Sequence, residues 1–296
     1  MTLVPRAYRD ESASFYPVRF LHIFILVCAL LALVGGIFGV VAFYQSHWFT
    51  PASRTIARIL PLPVALLDYT PVWYYEAADF AAVFDVYGDN GEVLDDPFES
   101  GIARAIDYKL LHEFTRERGV TVSRQDMNAY PVEAADLETF LDDTHWNQRQ
   151  YNQYVIEPLL AAQELETMIL ASEEDQRTVV AEMESILERI DLGVAFGDLA
   201  TQYSDDPSSD YAGILGFLEA SAFQNGLTPI FDLPVGYISP ILEAETYFVV
   251  AKVLDEVVID GVRTQVNIQI ITKNKNGLQE VFEDYKQSKT IRNLIP

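Results

Sequence analysis

The apolar positions of this chain change their period along its length. Residues 20–44, FLHIFILVCALLALVGGIFGVVAFY, contain no Asp, Glu, Lys or Arg and are apolar almost throughout. About twenty apolar residues cross a bilayer core. Phe20, Phe43, Tyr44 and Trp48 stand at the two ends, where ring side chains favour the membrane interface. The run is longer than the roughly 7–15 apolar residues of a cleaved signal peptide, and VVAFYQS is a poor cleavage site. The pattern predicts one uncleaved transmembrane helix, with a short segment 1–19 before it and a linker 45–59 after it.

From residue 60 the periods become those of a folded domain. LPLPVALLDYTPVW, punctuated by proline, predicts a strand or hairpin. YEAADFAAVFDVYG has helical spacing and stops at Gly88, and GDNGEVLDDP is a turn-rich loop. Ile102, Ile106, Leu110, Leu111 and Phe114 line one face of a helix over 100–119, ended by Gly119. Ser123, with Asp126 three residues on, marks the start of a short helix. A long helix is expected from about Asn147 to Leu170, kinked or broken at Pro158. Ser172 and Asp175 resemble a capping box ahead of a helix striped by Val179, Val180, Met183, Ile186, Leu187 and Ile190. After the shorter helix GVAFGDLATQYS come three strand-like runs, at 214–218, 246–254 and 264–272, and a tail, GLQEVFEDYKQSKTIRNLI, that reads as helix. The expected class is α+β, with a helical domain over 60–171 and a second domain over 172–296 that carries a small antiparallel-type sheet.

Composition then removes whole classes of function. The chain has 44 acidic and 20 basic residues and a net charge of -24. Such a surface repels nucleic acid; it keeps a protein soluble or attracts basic, unfolded clients. Cys28 is the one cysteine, so neither an internal disulfide nor a cysteine-based metal site is available. His22, His47, His112 and His145 have no metal-ligand spacing, and none lies beyond 145. A zinc enzyme or a Ser-His-Asp hydrolase built on the second half is therefore disfavoured, and no metal or cofactor is expected. Arg6, Arg9 and Arg19 precede the apolar run, and Arg54 and Arg58 follow it. This slight bias puts the N-terminus in the cytoplasm and the large C-terminal part outside it, on a single-pass membrane protein. Gly35 and Gly39 have the spacing that lets two spans approach as a homodimer, and a chance pair of glycines is the other reading.

Between Gly193 and Asp255 the residues run G-x-x-F-x-x-L-A-x-x-Y-S-D-D-P-S-S, then G-x-L-G-F, G-L-T-P-I-F, L-P-V-G-Y-I-S-P-I and Y-F-V-V-A-K-V-L-D. This order resembles the parvulin-type peptidyl-prolyl isomerases. AIDYKLLHEFTRERGVTVSRQDM and FLDDTHWNQRQYNQYVIEPLLAAQEL resemble the helical chaperone domain of SurA- and PrsA-type folding factors. The resemblance implies a membrane-anchored, extracytoplasmic folding factor that is both chaperone and isomerase, with extended polypeptides as clients. It implies a proline pocket walled by Leu227 and Phe231, with Asp206 beside the twisting bond where the family has a cysteine or aspartate. Phe248, or Val249 in another alignment, stands where the family has its second histidine and completes the pocket.

The chain also departs from the family. LETMILASEED holds no histidine where a first strand is expected. The segment between Phe231 and Gly236 is short, so the small helix beside the pocket is expected to be lost. Gly213 is followed by Ile214 instead of a polar residue. VNIQIITK, at 266–273, is similar to the missing first strand arriving late, with Gln269 in the histidine's place. In that arrangement residues 266–272 pair beside 246–254 in the centre of the sheet. With both histidines absent, two readings stay open: an isomerase working through its apolar pocket, or an inactive chaperone or envelope assembly factor that only binds clients. A scaffold unrelated to folding is a third, and it predicts no concave apolar surface.

Overall fold

The structure, a computed structural model, describes residues 40–41, 43–89, 91–224 and 226–295. The span expected at 20–44 lies outside the described residues except at its end, as do Cys28, Gly35 and Gly39. Among the described residues no helix is long and apolar enough to cross a membrane. The chain forms two compact units. One takes the described residues up to Ile106 with Asp142–His145 and the chain from Ile291; the other takes Asp107–Leu141 and Trp146–Thr290. Residues 60–171, expected as one helical domain, therefore contribute to both.

The first unit starts with helix α1, Pro51–Ile59, which Thr50 caps by accepting the Ser53 N–H at 3.3 Å. The stretch expected as a strand or hairpin forms a hairpin of β1, Pro63–Leu67, and β2, Thr70–Trp73. Helix α2, Tyr74–Tyr87, follows directly, and its Glu76 carboxylate accepts the Trp73 N–H at 2.8 Å. Tyr74 is fully buried, with the rings of Phe43 at 5.1 Å and Phe98 at 4.6 Å. Phe43 and Tyr44, expected as interfacial rings, thus belong to this unit; the Tyr44 hydroxyl donates to the Pro63 carbonyl at 2.9 Å. Helix α3, Pro97–Glu117, begins here.

In the second unit, Ser123 and Asp126 cap helix α4, Arg124–Ala129, reciprocally. Helix α5 is Ala134–Thr144. The expected long helix is neither straight nor broken. It runs as α6, Gln148–Tyr151, a π-helical turn Asn152–Ile156, and α7, Glu157–Leu170. Pro158 has no N–H to offer the preceding turn, and the wider π turn falls where that bond would have been made. Helix α8, Arg177–Asp191, and helix α9, Phe196–Tyr203, follow.

A four-stranded antiparallel sheet completes this unit. Its strands are β3, Ile214–Glu219, β4, Leu242–Glu243, β5, Tyr247–Ile259, and β6, Val262–Asn274, in the order β3-β6-β5-β4. The late strand is central: β6 pairs with β5 on one side and β3 on the other. Asp260 and Gly261, with φ of 52° and 77°, make the tight β5–β6 turn. Alternation then sorts the side chains. Phe248, Val250 and Ile271 pack under Met183 and Ile186 of α8 and Phe196 and Leu199 of α9. Val249, Ala251, Val253, Val266, Ile268 and Ile270 face the other way, against Phe223 and Ile230.

The tail departs from the all-helical expectation. Helix α11, Leu278–Gln287 (α10 is the short turn at Pro229–Asp232), gives way to strand β7, Ile291–Asn293. β7 belongs to the first unit, where it pairs antiparallel with β1, and the Leu294 N–H donates to the Val64 carbonyl at 2.9 Å. An open strand edge decides the conformation there, not local propensity.

Candidate functional site

A cavity of about 330 Å³ opens on the sheet face away from α8 and α9. Val249 of β5 and Ile268 and Ile270 of β6 line it from the sheet, because residues two apart share a face. Leu215 and Leu218 of β3 line it too. They are three apart, so a regular strand would send them to opposite faces. The register shift between Ile214 and Gly216 brings them to the same one. The chain after β3 supplies Phe223 and Leu227, and α10 supplies Ile230.

Hydrogen bonds fix this wall. The Arg263 guanidinium donates to the carbonyls of Phe231 at 2.6 Å and Leu233 at 2.8 Å, and it pairs with Glu256. The small helix beside the pocket is reduced to the single turn α10.

One end of the cavity is polar, made by Asp205, Asp206, Thr272 and Asn274. The Ser204 hydroxyl accepts the Thr272 N–H at 3.1 Å, and the Asp205 N–H donates to the Thr272 carbonyl at 2.9 Å. The Asp205 carboxylate accepts from Lys273 Nζ and from the Asn274 N–H, both at 2.9 Å, and so latches the end of β6. Asp206 Oδ1 accepts the Ser208 N–H at 2.8 Å and caps the 3₁₀ turn Pro207–Tyr211. Ala212 and Gly213, with φ of 58° and 79°, then turn the chain into β3. A Cβ on Gly213 would lie 2.3 Å from the Ile270 carbonyl oxygen, so only glycine fits there.

The structure brings Asp206 and Leu227 to one cavity. Phe231 sits behind its wall, its ring 5.9 Å from that of Phe223. Phe248 lies on the opposite face of the sheet, with Lys275 Nζ 5.3 Å from its ring centre. Its neighbour Val249, the residue of the other alignment, is the one at the cavity. Gln269 also faces the helices; its Nε2 donates to the Ala212 carbonyl at 2.6 Å and braces the turn into β3. Leu215, Leu218 and Thr272 did not stand out in the sequence. The available clue was Gly216, since a glycine inside a strand pattern marks a bulge.

The described histidines take no part. His47 Nδ1 is 2.7 Å from Asp96 Oδ2, and His112 lines a separate cavity of about 280 Å³ between α3 and α7. Among the described residues no group of three or more His, Cys, Asp or Glu side chains could hold a metal ion. The cavity has room for a small apolar ring and a hydrogen-bonding wall at one end, and it presents no nucleophile paired with a base.

Residues 159–257 match the family model of the PPIC-type PPIase domain, the parvulin type. No curated protein and no solved structure matches the chain. The matched stretch stops before β6, so one of the two inner strands of the sheet lies outside it.

Proposed function

We propose that the second unit is a parvulin-type peptidyl-prolyl cis/trans isomerase acting on extended polypeptides. The observation that carries this reading is the single cavity holding Leu227 and Asp206, apolar along its length and polar at one end. Rotation about an X-Pro bond meets a barrier of about 18–20 kcal/mol. Lowering it requires no covalent chemistry. The apolar wall takes the prolyl ring out of water, and the polar end favours the twisted amide over the planar one. Asp206, Thr272 and Asn274 are the polar groups at hand. The rest of the chain serves delivery: the apolar run that begins at residue 20 and ends before Phe43 and Tyr44, which pack in the first unit, anchors the protein with its folded part outside the cytoplasm; the helices hold unfolded segments.

A protease-coupled assay of the full-length protein on short X-Pro peptides tests this. Asp206→Asn keeps an acceptor for the Ser208 N–H but removes the charge; it lowers kcat/KM by about tenfold, or ~1.4 kcal/mol. Leu227→Ala lowers it through the loss of apolar contact. Turnover that neither substitution alters would remove the cavity as the seat of catalysis.

A second reading is a client-binding domain without turnover. It is favoured by Gln269, which stands where the late strand would carry its histidine yet faces the helices and braces Ala212. Under it, the protein suppresses aggregation of a proline-free client while leaving X-Pro peptides at their uncatalysed rate.

A further inference from the structure

The four-stranded sheet has two edges, and the chain treats them differently. Outside β5 it lays β4 and the segment before β4. The Gly236 N–H donates to the Val253 carbonyl at 2.8 Å, the Val253 N–H to Tyr237 at 3.1 Å, and the Ser239 N–H to Ala251 at 2.8 Å. Outside β3 it lays nothing: among the described residues β3 ends the sheet, and β6 is its one strand partner. Open edges are commonly blunted by lysine, proline or a covering element. β3 reads Ile-Leu-Gly-Phe-Leu-Glu, with no lysine, no proline and, among the described residues, no strand laid over its edge; its one charge is Glu219 at the end, and its one bulge aims Leu215 at the cavity and leaves 216–219 regular. Ile214 and Phe217 are 47% and 46% exposed, large apolar side chains left in water at the edge.

Charge narrows what fits there. From Ile190 to Ala251 the chain has nine acidic residues and no Lys or Arg. Lys273, from β6, engages Asp205. Asp206 and Asp210 lie in the turn that enters β3, and Glu219 closes the strand.

We infer that the outer edge of β3 receives an extended, basic polypeptide client as an added strand, which lays a prolyl residue of that client over the neighbouring cavity. An unpaired backbone ladder selects extended chain of any sequence, the apolar side chains of β3 contact alternate client residues, and the acidic flanks favour lysine and arginine. Leu215 and Leu218 join the two sites, since they sit on the open strand and line the cavity. The inference rests on the isomerase reading only for the use made of the seated proline; strand addition is measured separately.

The test uses the full-length protein and a twelve-residue peptide of alternating Lys and Val with one central X-Pro. Two further versions are N-methylated at alternate amides, each blocking one edge of the peptide. A strand added to β3 uses one edge only. One methylated version therefore loses about tenfold or more in affinity, the cost of its lost ladder bonds, while the other binds as the parent does. Hydrogen exchange of the 214–219 amides slows when the parent peptide binds. Equal binding by both methylated versions with no slowing at β3, or no binding by the parent, overturns the inference. Slowing that depends on protein concentration without peptide also overturns it, because the edge then pairs with a second copy of the chain. A four-residue X-Pro peptide, too short to pair along β3, is assayed in parallel. If it is not turned over while strand addition holds, the isomerase reading alone fails.

Discussion

Asp175 follows Ser172 at capping-box spacing, and its N–H does reach the Ser172 hydroxyl, at 3.2 Å. Its carboxylate turns elsewhere, accepting two bonds from Arg118 at 2.6 and 2.8 Å. The expected capping box is therefore not made: the Ser172 bond closes the turn ahead of the helix, whose N-cap is Gln176 with no side-chain cap. The Ser172 contact is local; the ion pair was not legible, because Arg118 lies 57 positions away. Hydrogen bonds from the Arg118 guanidinium hold the Asp175 carboxyl below its ordinary range. A carboxyl with a lowered folded pKa contributes stability that is complete above its unfolded value and is lost as pH falls through the folded one. Asp175→Asn therefore costs about 1–2 kcal/mol at neutral pH, since Arg118 keeps only part of its bonding. In urea unfolding the gap to the parent protein narrows as pH drops below about 4; a gap independent of pH would show that the pair carries no such linkage. The same locality divides the cavity residues. Asp206 and Leu227 sit in turns with marked sequences. The Phe248 and Val249 alternatives differ by one position, and one position in a strand exchanges one face for the other.

At the level of elements, the stripes of α2, α3 and α8, the β1–β2 stretch and the three strand runs were readable, because each carries its own period; α1 lies in the stretch expected as linker, and α5 was not read. Two features were not readable. The π turn ahead of Pro158 depends on how one helix makes up for a missing donor. The strand β7 depends on the open side of β1. The place of β6 came from its likeness to a displaced first strand, not from its own period, and it does pair beside β5 inside the sheet. That place makes β6 indispensable, since Ile268 and Ile271, both essentially fully buried, serve opposite faces of the sheet. A chain ending at residue 261 leaves β3 and β5 without their common partner. It is expected to lose the near-ultraviolet signal of packed aromatics and the exchange protection of the β5 amides, although it keeps all of residues 159–257. Retention of both would mean that the matched stretch folds by itself.

Across the whole molecule, the two units recruit residues from distant positions: Asp142–His145 and the chain from Ile291 join the first unit. No local pattern announces such returns, which is why a division at 171 looked natural in the sequence. The proposed anchor makes a separate demand. Alkaline carbonate should leave the full chain in the membrane pellet and release a chain lacking residues 1–39; release of both would remove the anchor. The order of the strands carries one more consequence, for a protein that is made from its N-terminus and, in the proposed topology, threaded across a membrane in that direction. Asp206, Leu215, Leu227 and Val249 all emerge before Ile268, Ile270 and Thr272. Until β6 has crossed, the growing chain holds most of the cavity wall with no floor beneath it. On the proposed topology and function, the site closes late in export, so a half-translocated molecule has no finished pocket with which to seize its own prolines or those of its neighbours.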